Sequence, residues 1–152
     1  MASIYKIVFA GPVGAGKTQA VKALSDIEVV STEASASDEV KNLKARTTVA
    51  MDYGVMNLAS GDRVRLYGTP GQARFDFMWE ILTENALGLV LLIKGDAPDP
   101  VAELRSYIGA FRRTIEQTAL VVGITHTSRS DRTVRPAIAA ELERQGFPAT
   151  VM

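Results

Sequence analysis

Residues Gly11 to Thr18 read GPVGAGKT and match the spacing G-x-x-x-x-G-K-[ST]. That spacing makes a phosphate-binding loop. Its glycines let the backbone wrap an anion with N–H groups pointing inward, the lysine reaches the β- and γ-phosphates, and the last hydroxyl offers itself to Mg²⁺. The context fits, because an apolar strand-like run, Ile4 to Ala10, precedes the loop and a helix-like run, Gln19 to Leu24, follows it. A helix N-terminus adds a favourable dipole for phosphate. Gly11, Val13, Gly14, Ala15, Gly16, Lys17, Thr18 and Gln19 are therefore candidate contacts for a nucleoside triphosphate. The alternative is a glycine-rich turn that merely joins strand to helix.

The elements that must hold such a loop alternate along the chain, strand-like then helix-like, which predicts an α/β fold with a largely parallel sheet. The first strand is expected at 4–10 and the first helix at 16–24. A polar stretch from Ser25 to about Arg46 has no clear period, and a loop of that length in a compact domain is usually functional or disordered. Thr48 to Leu58 and Arg63 to Tyr67 read as a hairpin around Ala59-Ser60-Gly61-Asp62, the one antiparallel pair. Leu87 to Ile93 and Thr118 to Ile124 are apolar and β-rich enough for buried central strands. Between them Leu104, Tyr107, Ile108, Phe111 and Ile115 keep helical spacing over 101–117. Thr133 to Gln145 is the next helix, and Pro148 to Met152 the start of a last strand.

Composition sets the limits. A chain of 152 residues with 47% hydrophobic and 22% charged residues suits one soluble domain spanning 1–152. Seventeen basic and seventeen acidic residues cancel, so the charge footprint of a dedicated nucleic-acid binder is absent and no nucleic-acid partner is expected. The absence of cysteine removes disulfides, thiolate metal sites, prenylation and palmitoylation, and Ala2 at the second position removes myristoylation, so no lipid anchor is expected. The longest apolar run, Leu87 to Ile93, is too short to cross a bilayer, and no signal peptide opens the chain. A cytoplasmic location is the default expectation.

At Gly68 the hairpin runs into GTPGQARF. A phosphate loop, a threonine ahead of an antiparallel hairpin, and a G-Q step at the end of its second strand together resemble the Ras-like small GTPases. Within them, TTVAMDYG followed by LYGTPGQARFDFMW looks like the bacterial MglA-like and conservon-type members. The likeness runs from Ile4 to Met152 and implies a P-loop Ras-like G domain, a six-stranded mixed, mostly parallel sheet flanked by helices. By that resemblance Lys17 and Thr18 hold phosphate and Mg²⁺, and Thr48 closes on Mg²⁺ and the γ-phosphate. The Gly71 N–H meets the γ-phosphate, and Gln72 orients the attacking water, so Gln72, Thr48 and Lys17 form the catalytic set. Such a site positions and neutralises rather than forming covalent bonds. Alone, Thr48 reads as a strand threonine and Gln72 as a turn residue. Arg74 is either an intrinsic arginine finger or a solvated surface residue. The resemblance also implies GTP and GDP as ligands and a roadblock-type partner at the switch regions, where Phe75, Phe77, Met78 and Trp79 crowd more apolar surface than one helical face buries.

Four features depart from the family pattern. Gly68 stands where most small GTPases carry the Asp that supports Mg²⁺ through water. A hairpin turning about Ser60 and Gly61 places Asp52 roughly opposite Thr69, close to the vacated position, so Asp52 is a candidate metal-supporting carboxylate beside Thr18 and Thr48; a one-residue slip turns it outward instead. Val13 replaces a loop glycine and crowds the space of the glutamine and of an incoming arginine, which predicts slow intrinsic hydrolysis. After the fifth strand, Thr125, His126, Thr127 and Ser128 occupy the guanine-reading N-K-x-D. The hydroxyl of Ser128 lacks the two charge-assisted acceptors of a carboxylate, so guanine selectivity is expected to weaken unless Asp131 bends back. His126 is expected to cover the base. Finally, the last helix of a Ras-like domain is missing after Met152. Truncation is the expected cause, and a bared sheet face would favour oligomerisation or a partner.

The function expected is a GTP-binding switch with slow, partner-stimulated hydrolysis and Mg²⁺ as cofactor. A small-molecule kinase would need an arginine-dense lid that this chain lacks. The rival is a degenerate scaffold that acts by protein contact, favoured by Gly68, Val13 and Ser128 and opposed by Lys17, Thr18, Thr48 and Gln72.

Overall fold

The computed structural model describes residues 3–12, 14–31, 52–68, 85–127, 132–147 and 149–152. The elements in order are β1 (Ile4–Ala10), α1 (Lys17–Leu24), β2 (Val30–Ser31), β3 (Asp52–Asn57), β4 (Arg63–Gly68), β5 (Gly88–Lys94), α2 (Pro100–Ala110), α3 (Arg112–Gln117), β6 (Ala119–Thr125), α4 (Val134–Gln145) and β7 (Thr150–Val151). The strands form one sheet in the order β2-β3-β4-β1-β5-β6-β7. β2 with β3 and β3 with β4 are antiparallel, and every other pairing is parallel. The expected mixed α/β architecture holds, with one more strand than the six expected. The addition is the two-residue β2 on the edge, inside the polar stretch that shows no strand period.

Alternation along the strands sorts residues between two layers. Val8, Ala10, Leu89, Leu91, Ile93 and Val122 point to one face, where α2, α3 and α4 cover them with Leu104, Ile108, Phe111, Ile115, Ile138 and Leu142. Phe9, Val64 and Leu66 point to the other and meet Val21 of α1. Burying one such side chain fully stabilises the fold by about 1.5–3 kcal/mol. The helix expected over 101–117 is two helices, because Phe111 leaves helical geometry at φ −107, ψ 17. The break turns Phe111, 2% exposed, into the core while its N–H still reaches Tyr107 O.

β1 has parallel neighbours on both sides, β4 and β5, and its carboxyl end is therefore the point of the sheet where a crevice opens for ligands. The glycine-rich loop leaves β1 there. Gly11 is obligatory at that exit: at φ +148 a Cβ would stand 2.2 Å from Leu92 O of the neighbouring strand.

The hairpin corrects one register. Asp52 lies opposite Gly68, not Thr69, because the strands are joined by five residues centred on Ser60: Asn57 pairs with Arg63, and the Leu58 N–H bonds Asp62 O at 2.9 Å. Gly61 takes the left-handed conformation, φ 92, that this turn requires. No helix of the described residues is long and apolar enough to cross a membrane.

Candidate phosphate-loop site

The described residues of the loop run from the end of β1 to the start of α1. Gly16 sits at the helix N-cap in the left-handed conformation, φ 103, and α1 begins at Lys17, one residue later than expected. The Ala20 N–H bonds Gly16 O at 2.9 Å, leaving the first-turn N–H groups directed at the loop. The Lys17 ammonium folds back over the loop and donates to Gly11 O at 2.6 Å and Pro12 O at 2.9 Å. Burial lowers its pKa to about 8, and Asp52 nearby opposes that shift.

Thr18 of α1 and Asp52 of β3 meet between helix and sheet. The threonine hydroxyl donates to Asp52 Oδ2 at 2.5 Å. Strand parity delivers the carboxylate: Gly54 of β3 packs on Val21 and Ser25 of α1, and Asp52, two residues earlier, shares that face and reaches the start of the helix. Its antiparallel partner Gly68 leaves room. A Cβ on Gly68 would stand 3.3 Å from Asp52 Oδ2 and 3.4 Å from its Cβ. The outward-facing alternative for Asp52 is not what the fold produces. Hydroxyl and carboxylate oxygens are the donors that Mg²⁺ takes, with water and phosphate completing the shell, so the residues present fit that ion. No cluster of three or more His, Cys, Asp or Glu able to hold a metal occurs among the described residues.

The carboxyl end of β6 closes the other flank. Thr125 donates its hydroxyl to Ala15 O at 2.8 Å. His126, at φ 54, bonds Gly14 O through Nε2 at 2.7 Å; a carbonyl only accepts, so the proton sits on Nε2. Thr125 and His126 therefore brace the phosphate loop itself, a role their motif position did not disclose. Val13, Thr48, Gly71, Gln72, Arg74, Phe75, Phe77, Met78, Trp79, Ser128 and Asp131 lie outside the described residues. Lys94, at the end of β5, was missed in the sequence; its ammonium reaches to 3.9 Å from the Cβ position of Gly14. The available signal was a cation closing an otherwise uncharged strand, GLVLLIK.

Sheet order, loop and helix start define the fold of the P-loop GTPases. No protein family model matches the chain. It is similar to the intraflagellar transport protein 22 homolog of Danio rerio, 24% identical over 147 residues that cover 91% of this chain and 75% of that protein. Among solved structures it resembles bacterial selenocysteine-specific elongation factor EF-Sec with a TM-score of 0.66 and 18% identity. All of this chain is covered there, and the chain spans about a quarter of the elongation factor's length. The structural likeness supports the P-loop GTPase fold, and neither relative is of the bacterial MglA-like type that residues 47–54 and 66–79 resemble.

Proposed function

We propose that this chain is a guanine-nucleotide switch that binds GTP and GDP with Mg²⁺ and hydrolyses GTP slowly. The observation that carries the reading is the Thr18–Asp52 pair, set beside a loop already cross-braced by Lys17. Asp52 stands over Gly68, so the carboxylate missing from the end of β4 is delivered from β3 instead. That removes one of the arguments for a scaffold without nucleotide.

The division of labour follows. Loop N–H groups and the α1 N-terminus cradle the phosphates, and Lys17 exchanges its bonds to Gly11 and Pro12 carbonyls for phosphate oxygens. Thr18 would hold the metal through its hydroxyl oxygen, and Asp52, which accepts from that hydroxyl, would orient it and add negative charge beside the ion. Mg²⁺, when bound, neutralises charge on the β- and γ-phosphates. Thr48 and the Gly71 N–H close on the γ-phosphate, and Gln72 orients water for attack on phosphorus, the bond to GDP breaking as phosphate leaves. These last roles rest on the sequence resemblance, as do a roadblock-type partner at the switch regions and a cytoplasmic setting.

Mass spectrometry of nucleotide carried through purification tests the reading, since it reports binding and base identity together. Guanine nucleotide is expected in the wild type and not in Lys17→Ala, where affinity falls by more than tenfold, about 1.4 kcal/mol. Equal retention by both proteins would overturn it.

A further inference from the structure

β5 presents Val90, Leu92 and Lys94 to the α1 side of the sheet, since Val90 is in register with Phe9 on that side. Lys94 is the last of these and lies level with Thr125 of β6. Its half-buried side chain reaches toward the phosphate loop, with Nζ 3.9 Å from the position of a Cβ on Gly14. Among the described residues this ammonium has no hydrogen bond and no ion pair. A partly desolvated cation without a partner is unfavourable, and burial here is explained when an anion completes the site. The two lysines work at different parts of the loop. Lys17 is tied to the Gly11 and Pro12 carbonyls, whereas Lys94 stands at Gly14, whose carbonyl is already engaged by His126.

We infer that Lys94 is a second cationic contact for the phosphate chain of the bound nucleotide, meeting it at the Gly14 end of the loop. The inference rests on the nucleotide reading and extends it to a residue that the loop motif does not include. An ammonium at this position acts on phosphates common to the diphosphate and the triphosphate. It therefore strengthens binding of both states and leaves the ratio between them unchanged.

The experiment is a displacement titration of the full chain with Mg²⁺ and a fluorescent GDP analogue, competed by GDP, GTP and inorganic pyrophosphate. Lys94→Met keeps length and removes charge; Lys94→Arg restores charge; Lys94→Gln serves as a polar second variant should Met disturb the strand end. Circular dichroism melts in the absence of nucleotide verify folding. The neutral variants are expected to weaken all three competitors alike, by about tenfold, with a shallower dependence on salt, and Lys94→Arg is expected to recover most of the loss. Neutral variants within twofold of wild type for every competitor, while Lys17→Met fails to bind, would overturn the inference and leave the nucleotide reading standing. Loss toward GDP and GTP with pyrophosphate unchanged would also overturn it, by assigning Lys94 to the base or ribose. Absence of any nucleotide binding by the wild type would remove the nucleotide reading and this inference with it.

Discussion

The Asp52 carboxylate occupies the space that a side chain at Gly68 would take: Oδ2 lies 3.3 Å from where the Cβ of residue 68 would stand, and the two residues are directly paired across the β3–β4 hairpin. A carboxylate at residue 68 would compete for the space that Asp52 fills, and the two together would crowd like charges.

This exchange is testable by transplantation. Asp52→Ala is expected to raise the Mg²⁺ concentration needed for half-maximal GTP binding by about tenfold, roughly 1.4 kcal/mol. The double variant Asp52→Ala, Gly68→Asp should return most of it, because truncating Asp52 to a methyl group vacates the space. Gly68→Asp alone sets two carboxylates side by side and should weaken binding. Magnesium titrations followed by calorimetry distinguish the four proteins; an unchanged Mg²⁺ requirement in Asp52→Ala refutes the assignment.

Val13 bears on rate rather than affinity. By the family resemblance the branched Val13 is expected to crowd the space that Gln72 needs, so Val13→Gly is expected to raise single-turnover GTP hydrolysis by about tenfold, again roughly 1.4 kcal/mol in the barrier. Phosphate release from preloaded protein measures it. Rapid turnover of the wild type, indifferent to the substitution, would show that Val13 does not crowd the glutamine.

By the same resemblance Ser128 is the residue expected to read the base. Restoring a carboxylate with Ser128→Asp supplies two charge-assisted acceptors for guanine and faces the acceptor N1 of adenine with repulsion. The preference for GTP over ATP should widen by at least tenfold, hydrogen bonds to charged groups being worth about 1.5–3 kcal/mol each. A competition titration reads it directly, and an unchanged ratio means that another residue takes the base.

Away from the loop, Glu141 of α4 is buried, its side chain 3% exposed, and bonds Arg105 of α2 at 3.0 Å, Arg144 at 2.5 Å and Gln145 at 2.7 Å. The hydrogen bond from Arg105 and then that from Arg144 hold its carboxyl down at about 2, below the ordinary 4.5. A depressed carboxylate contributes stability that is fully present above about pH 4.5 and is lost as pH falls through about 2. Urea midpoints measured between pH 7 and pH 2 should fall steeply over that window. Glu141→Gln should be less stable at pH 7 and follow a flatter profile below pH 4.5; equal slopes for the two proteins would place the acid sensitivity elsewhere.

Local chemistry determined much of this molecule. Glycines at 11, 14 and 16 with Lys17 and Thr18 specify a phosphate loop because left-handed backbone and a returning ammonium depend on neighbours within a few residues, and the described loop has that form. Near-continuous apolar runs placed β1, β5 and β6 within a residue of where they lie, since burial on both faces writes itself into the strand. Three things were decided only by the tertiary structure. The register of the hairpin depends on whether four or five residues turn at Ser60, which composition does not distinguish, and it puts Asp52 on Gly68 rather than Thr69. The split of 101–117 at Phe111 follows from the core's demand for that ring, against an unbroken helical period. The bonds of Thr125 and His126 to Ala15 and Gly14, and the approach of Lys94 to the loop, join residues some eighty to more than a hundred positions apart. Such contacts arise from strand order, β1 beside β5 beside β6, and strand order is a property of the whole packed sheet rather than of any segment in it.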